Sequence, residues 1–345
     1  MEIRQLSTFP DHLINASFVP VFATPGYARL LAETKSMKTL WLSGISGDLP
    51  LVMIPFTVTT GFLKKGRFLS APIPLSDTMN IRVEKDFLDS LIEYIKVNKL
   101  CDWIQQPPNW AIFNTLPRNV VYCPFGTYKI DLSSKLSPDE LFSDIDIKDR
   151  NDIKKAMREG VEIKQGVGFI DDSLKLIRET AIKANISYPT PAVLKKELEF
   201  LDGNISVYVA YYRNEPQATT IFYSTSYCIY NLYAGSKPNP FRGSNSYLYW
   251  QAISDAKTNN IKYFDFVGAR INPSPDSKHY RIQKFKEHFG GKLYQGYLWK
   301  LVISPLKYKL YNSAVRFVFF MRKRPYKEDL IDQEIERLSG KDSRV

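Results

Sequence analysis

The sequence predicts an α/β protein assembled from two packed α/β units, and three observations carry that expectation. At 345 residues the chain exceeds the length at which a single hydrophobic core usually stops growing. Hydrophobic residues make up 44% and aromatics 14%, enough to fill such cores and too much for a linker-dominated chain. The order strand, strand, helix, strand can be read coarsely in both halves.

In the first half, Thr39–Leu42 and Leu51–Ile54 are strand candidates on either side of a Ser46-Gly47-Asp48 turn. Phe87, Leu88, Leu91, Ile92 and Ile95 recur at helical spacing. Residues 101–104, 120–122 and 128–132 are further strand candidates. Ser137-Pro138-Asp139-Glu140 is a capping box with proline at the first helical position, and a second unit starts beside it. A basic helix runs over 148–160, with Gly160 as its stop. Another helix opens at Thr190-Pro191, so the span 174–202 holds two short helices and no long coiled-coil arm. Strands over 205–212, 219–223 and 227–233 follow, then a helix buried through Tyr249, Ala252, Ile253 and Ala256, a strand over 261–266 and a helix over 278–289. The expected division is 1–130, 131–325, and a C-terminal acidic helix with a frayed tail over 326–345.

With 47 Lys and Arg against 36 Asp and Glu, the formal charge is +11, which favours anionic partners without choosing among phosphates, nucleic acid and an acidic membrane. Three cysteines and three histidines at no metal-ligand spacing predict neither a zinc site nor a disulfide scaffold. Glu2, Arg4, Asp11 and His12 break any apolar run near the start, and no stretch is long enough to cross a bilayer. The expectation is a cytoplasmic monomer, with any membrane contact peripheral at the inner face. Between Lys300 and Lys327 no acidic residue occurs, while aromatics and cations interleave. That segment reads either as a surface for an anionic leaflet or as a core helix with a solvated basic end.

Two stretches carry a resemblance. One is Ala234-Gly235-Ser236, Gly243-Ser244-Asn245-Ser246, Ala252-Ile253, Ala256 and Tyr263-Phe264-Asp265-Phe266-Val267-Gly268. The other is Phe285-Lys286 followed by Phe289-Gly290-Gly291. Together they resemble the C-terminal domain of Fem-type aminoacyltransferases and the allied acetyltransferases of the GNAT fold, over residues 120 to 300. The resemblance implies two tandem GNAT-like domains and a transferase that moves an activated acyl or aminoacyl group to an amine of a cell-envelope precursor such as a peptidoglycan peptide. An acyl-CoA-dependent sugar N-acyltransferase is the alternative within that group, and a noncatalytic nucleic-acid-binding module is the alternative of another class. No permanently bound cofactor is implied; acyl-CoA or aminoacyl-tRNA would be the donor substrate, and an envelope or sugar precursor the acceptor.

Transfer from an activated ester or thioester needs positioning and oxyanion stabilisation more than a protein nucleophile. Lys286 and Phe285 lie by the transfer site in the resemblance, with Lys286 binding the donor or acting in catalysis. Asp265 could orient the attacking amine or take its proton, or equally cap a loop or pair with Arg270. Arg242, Gly243, Ser244 and Asn245 precede or open a helix whose amides could face a donor phosphate, or could form an ordinary glycine turn. Tyr233 is a candidate pocket residue. Arg150, Lys154 and Arg158 share one helix face, either for an anionic donor or simply solvated.

Overall fold

The computed structural model describes the chain except residues 15, 135, 136, 185, 187, 324, 327 and 341–345. The frayed tail expected at the C-terminus therefore lies largely outside the described residues.

The first half comprises β1 (Glu2–Leu6), α1 (Pro25–Lys35), β2 (Met37–Ser46), β3 (Leu49–Thr59), β4 (Lys65–Phe68), β5 (Ile73–Pro74), α2 (Ile81–Val97) and β6 (Trp103–Ile104). Then follow β7 (Val121–Asp131), α3 (Pro138–Asp144), α4 (Ile147–Arg158), β8 (Glu162–Gln165), α5 (Ile170–Ala184), α6 (Pro191–Phe200), β9 (Ile205–Tyr212), β10 (Glu215–Ser224) and β11 (Cys228–Ser236). The chain ends with α7 (Ser244–Thr258), β12 (Tyr263–Asp265), β13 (Ala269–Arg270), α8 (Lys278–His288), β14 (Lys292–Val302), α9 (Pro305–Met321) and α10 (Leu330–Leu338).

Local chemistry accounts for many of these bounds. Asn80 accepts hydrogen bonds from the amides of Arg82 and Val83 and so starts α2, whose Phe87, Leu88, Leu91 and Ile95 are fully buried. Burial of each such side chain is worth about 1.5–3 kcal/mol. Ser137 accepts from the Glu140 amide and starts α3, as the capping box predicts. Thr190 does the same for α6.

The same topology occurs twice. In the first half β2, β3 and β4 form an antiparallel meander, α2 crosses over, and β6 returns parallel to β4. In the second, β9, β10 and β11 form the meander, α7 crosses over, and β12 returns parallel to β11. The expected α/β class of two tandem GNAT-like units without a coiled-coil arm is thus the observed one; α5 and α6 are short helices between β8 and β9.

The two sheets are joined by β14. Its residues Lys292–Lys300 pair antiparallel with β7, and Leu301 and Val302 pair with β6. β7 in turn sits between β14 and β12, so Val121–Asp131 is one continuous strand where two short pieces were expected. Phe22 from the first half stacks on Trp110 at 4.2 Å and meets Tyr230 of β11 at 4.9 Å. The halves are therefore packed through aromatic side chains.

Candidate functional site

β11 and β12 are hydrogen-bonded only over Cys228–Tyr230 and Tyr263–Asp265. Beyond those residues they part, because β11 stays with β10 while the chain after Asp265 turns away. The opening holds a cavity of about 490 Å³, with Asn231 and Ala234 on one side and Phe266, Val267 and Gly268 on the other. Tyr249, Phe285 and Lys286 complete its wall, and Asn109 and Leu330 reach its rim.

The Phe285-Lys286 and Phe289-Gly290-Gly291 motif has a direct structural meaning. Phe289 is buried, and Phe285 packs edge-on against Tyr249 at 5.1 Å, which fixes the roll of α8. Gly290 ends α8 in the left-handed region at φ +79°, and the Gly291 amide donates to the Lys286 carbonyl at 3.1 Å. A side chain on Gly291 would stand 2.7 Å from that carbonyl oxygen. The two glycines thus hold the backbone of Lys286 in place.

Lys286 is 6% exposed. Its Nζ donates to the carbonyls of Val267 and Gly268, at 2.6 Å each. Both acceptors sit in left-handed backbone, at φ +43° and +62°, and for a β-branched residue that is a costly conformation. Burial pushes the lysine's pKa down to about 8, against the opposing pull of the Asp265 charge. An ammonium with two protons committed to carbonyls keeps one more for a ligand in the cavity.

Asp265 holds this turn. Its Oδ1 accepts from the Val267 amide at 2.8 Å and from the Thr127 hydroxyl, and its Oδ2 lies 3.6 Å from Lys129 Nζ. The fully buried carboxylate does not line the cavity. Of the roles open to it in the sequence, the contacts seen are those of a loop cap. Nor does it pair with Arg270, which bonds Glu334 of α10 at 2.9 Å.

The other expected donor residues fall elsewhere. Gly243 is left-handed at φ +86°, and a side chain there would collide with the Asp152 carbonyl of α4. Arg242 Nε pairs with Asp152 Oδ1 at 2.7 Å, Ser244 is fully buried, and Ser246 donates to Asp149 at 2.9 Å. Arg242, Gly243 and Ser246 therefore build a contact between the start of α7 and α4. Tyr233 does not line the cavity either; its hydroxyl donates to buried Glu197 at 3.2 Å.

Around Lys35, which neighbours Glu197, the structure gathers cations that the sequence did not single out. Burial lowers the pKa of Lys35 and of Lys65, and the neighbouring Arg67 charge pushes both further down. Glu197 itself is raised by burial. Asp146, Asp149 and His288 bring three ligand-type atoms within 4.8 Å, but they are already engaged. Asp146 caps α4 through the Lys148 amide at 2.9 Å, and Asp149 accepts from Ser246 and lies 3.0 Å from His288 Nδ1. Cys101, Cys123 and Cys228 are free and buried, and burial pushes the thiols of Cys101 and Cys123 up to about 12.

The parted parallel strands with a buried lysine at their opening form the candidate site of this GNAT-like fold. The family model described as "FemAB family" matches residues 189–316, the segment that carries the parted strands and the lysine. The crystal structure of FemX superposes with a TM-score of 0.66 at 13% identity, covering 90% of this chain and 99% of that one. The Fem-type resemblance rests on that match and that shared fold. A tandem GNAT protein from the clavulanic acid biosynthesis pathway also aligns, with a TM-score of 0.49, 8% identity and coverage of 88% and 99%. So does L-PGS from Bacillus licheniformis, at 0.46, 13% identity and coverage of 80% and 91%. No curated protein matches the chain.

Proposed function

We propose that this chain transfers an aminoacyl group from aminoacyl-tRNA to a primary amine of a cell-envelope precursor, in the cavity between β11 and β12. The observation that carries the reading is the third, uncommitted proton of Lys286 at the cavity wall. The neutral amine of the acceptor attacks the ester carbonyl carbon, and the carbonyl oxygen takes up negative charge. Lys286 donates to that oxygen, the C–O bond to the tRNA ribose breaks, and the proton lost by the amine goes to the departing hydroxyl. An ammonium fixed in a desolvated wall favours the charged transition state more than one that must reorganise in water.

The covered start of α7 favours an aminoacyl ester over acyl-CoA. A helix start favours a CoA pyrophosphate when it is open, and the Gly243 turn at the start of α7 packs against the Asp152 carbonyl of α4. The crowded cations Lys35, Lys65 and Arg67 suit a phosphate-bearing substrate. Incubating the protein with labelled aminoacyl-tRNA or labelled acyl-CoA, each with an amine-bearing wall precursor, tests the reading. Ribonuclease-sensitive labelling is expected. Transfer from acyl-CoA alone would replace it with the sugar- or amine-N-acyltransferase reading.

A further inference from the structure

We propose that α9 lies in the headgroup region of a bilayer rich in anionic phospholipid and holds the protein at that surface. This inference is independent of the transfer reaction.

α9 contains no buried residue among its seventeen, so the core-helix reading of this segment does not hold. One face rests on the protein: Tyr308 and Tyr311 lie 5.7 and 4.8 Å from the Trp103 ring, and Val315 and Phe319 follow on that side at helical steps. The opposite face carries Leu306, Leu310, Phe317, Phe320 and Met321, at steps of four, seven, three and one residue. Leu306 is 83%, Phe317 63% and Phe320 76% exposed. A row of large apolar side chains in water, interrupted by Ser313 and Ala314, marks a contact surface.

The charges select the partner. Lys309 and Arg316, seven residues apart, flank the apolar row on one side, with Arg316 lying against the Tyr326 ring at 5.1 Å, and Lys307, paired with Asp102 at 2.9 Å, flanks it on the other. No acidic residue occurs from Lys300 to Lys327. Lys307 also stands 4.9 Å from the ring of Phe62, itself 75% exposed, so another aromatic adjoins the row. An apolar stripe bordered by cations matches the depth profile of a leaflet, with acyl chains below and phosphates beside the helix. A nucleic acid would want the cations at the centre of the contact, and a second copy would set like charges against each other. No helix among the described residues is long and apolar enough to cross the membrane, and α9 lies in the plane of the surface under this proposal.

Co-sedimentation of the full chain with vesicles of phosphatidylglycerol and phosphatidylcholine, or of phosphatidylcholine alone, tests it. Binding to the anionic vesicles is expected, weakened by salt. The pair Phe317→Ser and Phe320→Ser should lower the partition coefficient by at least about tenfold. Lys309→Gln with Arg316→Gln should lower it by about tenfold at low salt. Thermal melts should not move, since these side chains are exposed, and Leu306→Ser provides a second apolar variant. Equal binding to neutral vesicles, or binding untouched by either pair, overturns the proposal. So does a dimer in light scattering that dissolves with Phe317→Ser. Retention by RNA that depends on Lys309 and not on Phe317 overturns it too.

Discussion

Replacing Lys286 with methionine separates the lysine's charge from its packing. Methionine keeps most of the stem and removes the ammonium. In the folded protein the lysine titrates near 8 rather than at its ordinary 10.5, so burial of the charge costs about 3 kcal/mol at neutral pH. The same ammonium satisfies the carbonyls of Val267 and Gly268, and stranding each would cost about 1–3 kcal/mol if water did not reach them. The two effects oppose each other, and the variant should melt within about 2 kcal/mol of the parent at pH 7. Turnover should not be spared: loss of one oxyanion donor lowers it by about a hundredfold or more.

The pH dependence gives a second, independent readout. The group's folded pKa lies below its unfolded value, so the unfolded chain binds more protons between pH 8 and 10.5. The burial penalty is therefore fully present below pH 8 and is relieved as pH rises through that window. Stability of the parent should rise relative to Lys286→Met over the same range. Activity should do the opposite, since the charged form acts: a falling limb near pH 8 is expected in the parent and absent in the variant. Steady-state transfer measured from pH 6 to 10 beside thermal melts decides the matter. A folded Lys286→Met protein within about threefold of parental turnover, or one that keeps the limb near pH 8, would refute the reasoning.

Three further outcomes follow from named contacts. Asp265→Asn removes the charge that raises Lys286, so the alkaline limb should move to lower pH; it also leaves the largely covered Lys129 ammonium without its partner, and chemical denaturation should show a loss of up to about 3 kcal/mol. Gly243→Ala forces a side chain against the Asp152 carbonyl in left-handed backbone, and should cost about 2–4 kcal/mol in the same assay. Arg242→Ala breaks an exposed pair and should change stability by less than about 1 kcal/mol and leave donor affinity unchanged; weakened binding would restore a donor groove at the start of α7.

Much of the fold was legible because its signals are local. The capping box at Ser137, the Thr190-Pro191 start and the apolar spacing along α2 each involve a few adjacent residues, and the structure uses each as read. β14 was not legible. Its outer residues Lys292–Gln295 are exposed, while Leu298–Leu301 are buried in succession, because the strand leaves one sheet and enters the other. No single period describes that. β7 read as two pieces because Pro124 and Gly126 interrupt it. Pro124 is tolerated because β13 reaches only as far as Phe125 on that side, so no ladder partner needs the missing amide. β1 and α1 were also passed over, and their neighbours β2 and α6 are distant in sequence.

The site divides along the same line. Phe285 and Lys286 could be picked out because the glycines that fix them are four to six residues away. Val267 and Gly268, whose carbonyls hold the ammonium, carry no such mark, since nothing in a valine announces left-handed backbone. Lys35 meets Glu197 across more than 160 residues, with Arg67 beside Lys35, and only the net charge hinted at them. Asp265 shows why residue type alone misassigns roles. A carboxylate between two phenylalanines is equally suited to taking a proton and to capping a turn. What separates the two is a 2.8 Å bond from the Val267 amide, fixed by where the chain goes after β12. The same carboxylate still bears on the chemistry, by setting the loop that holds Lys286 and by raising its pKa. Its contribution is to position, and the shifted pH limb of Asp265→Asn would register that where a purely structural role would leave the limb in place.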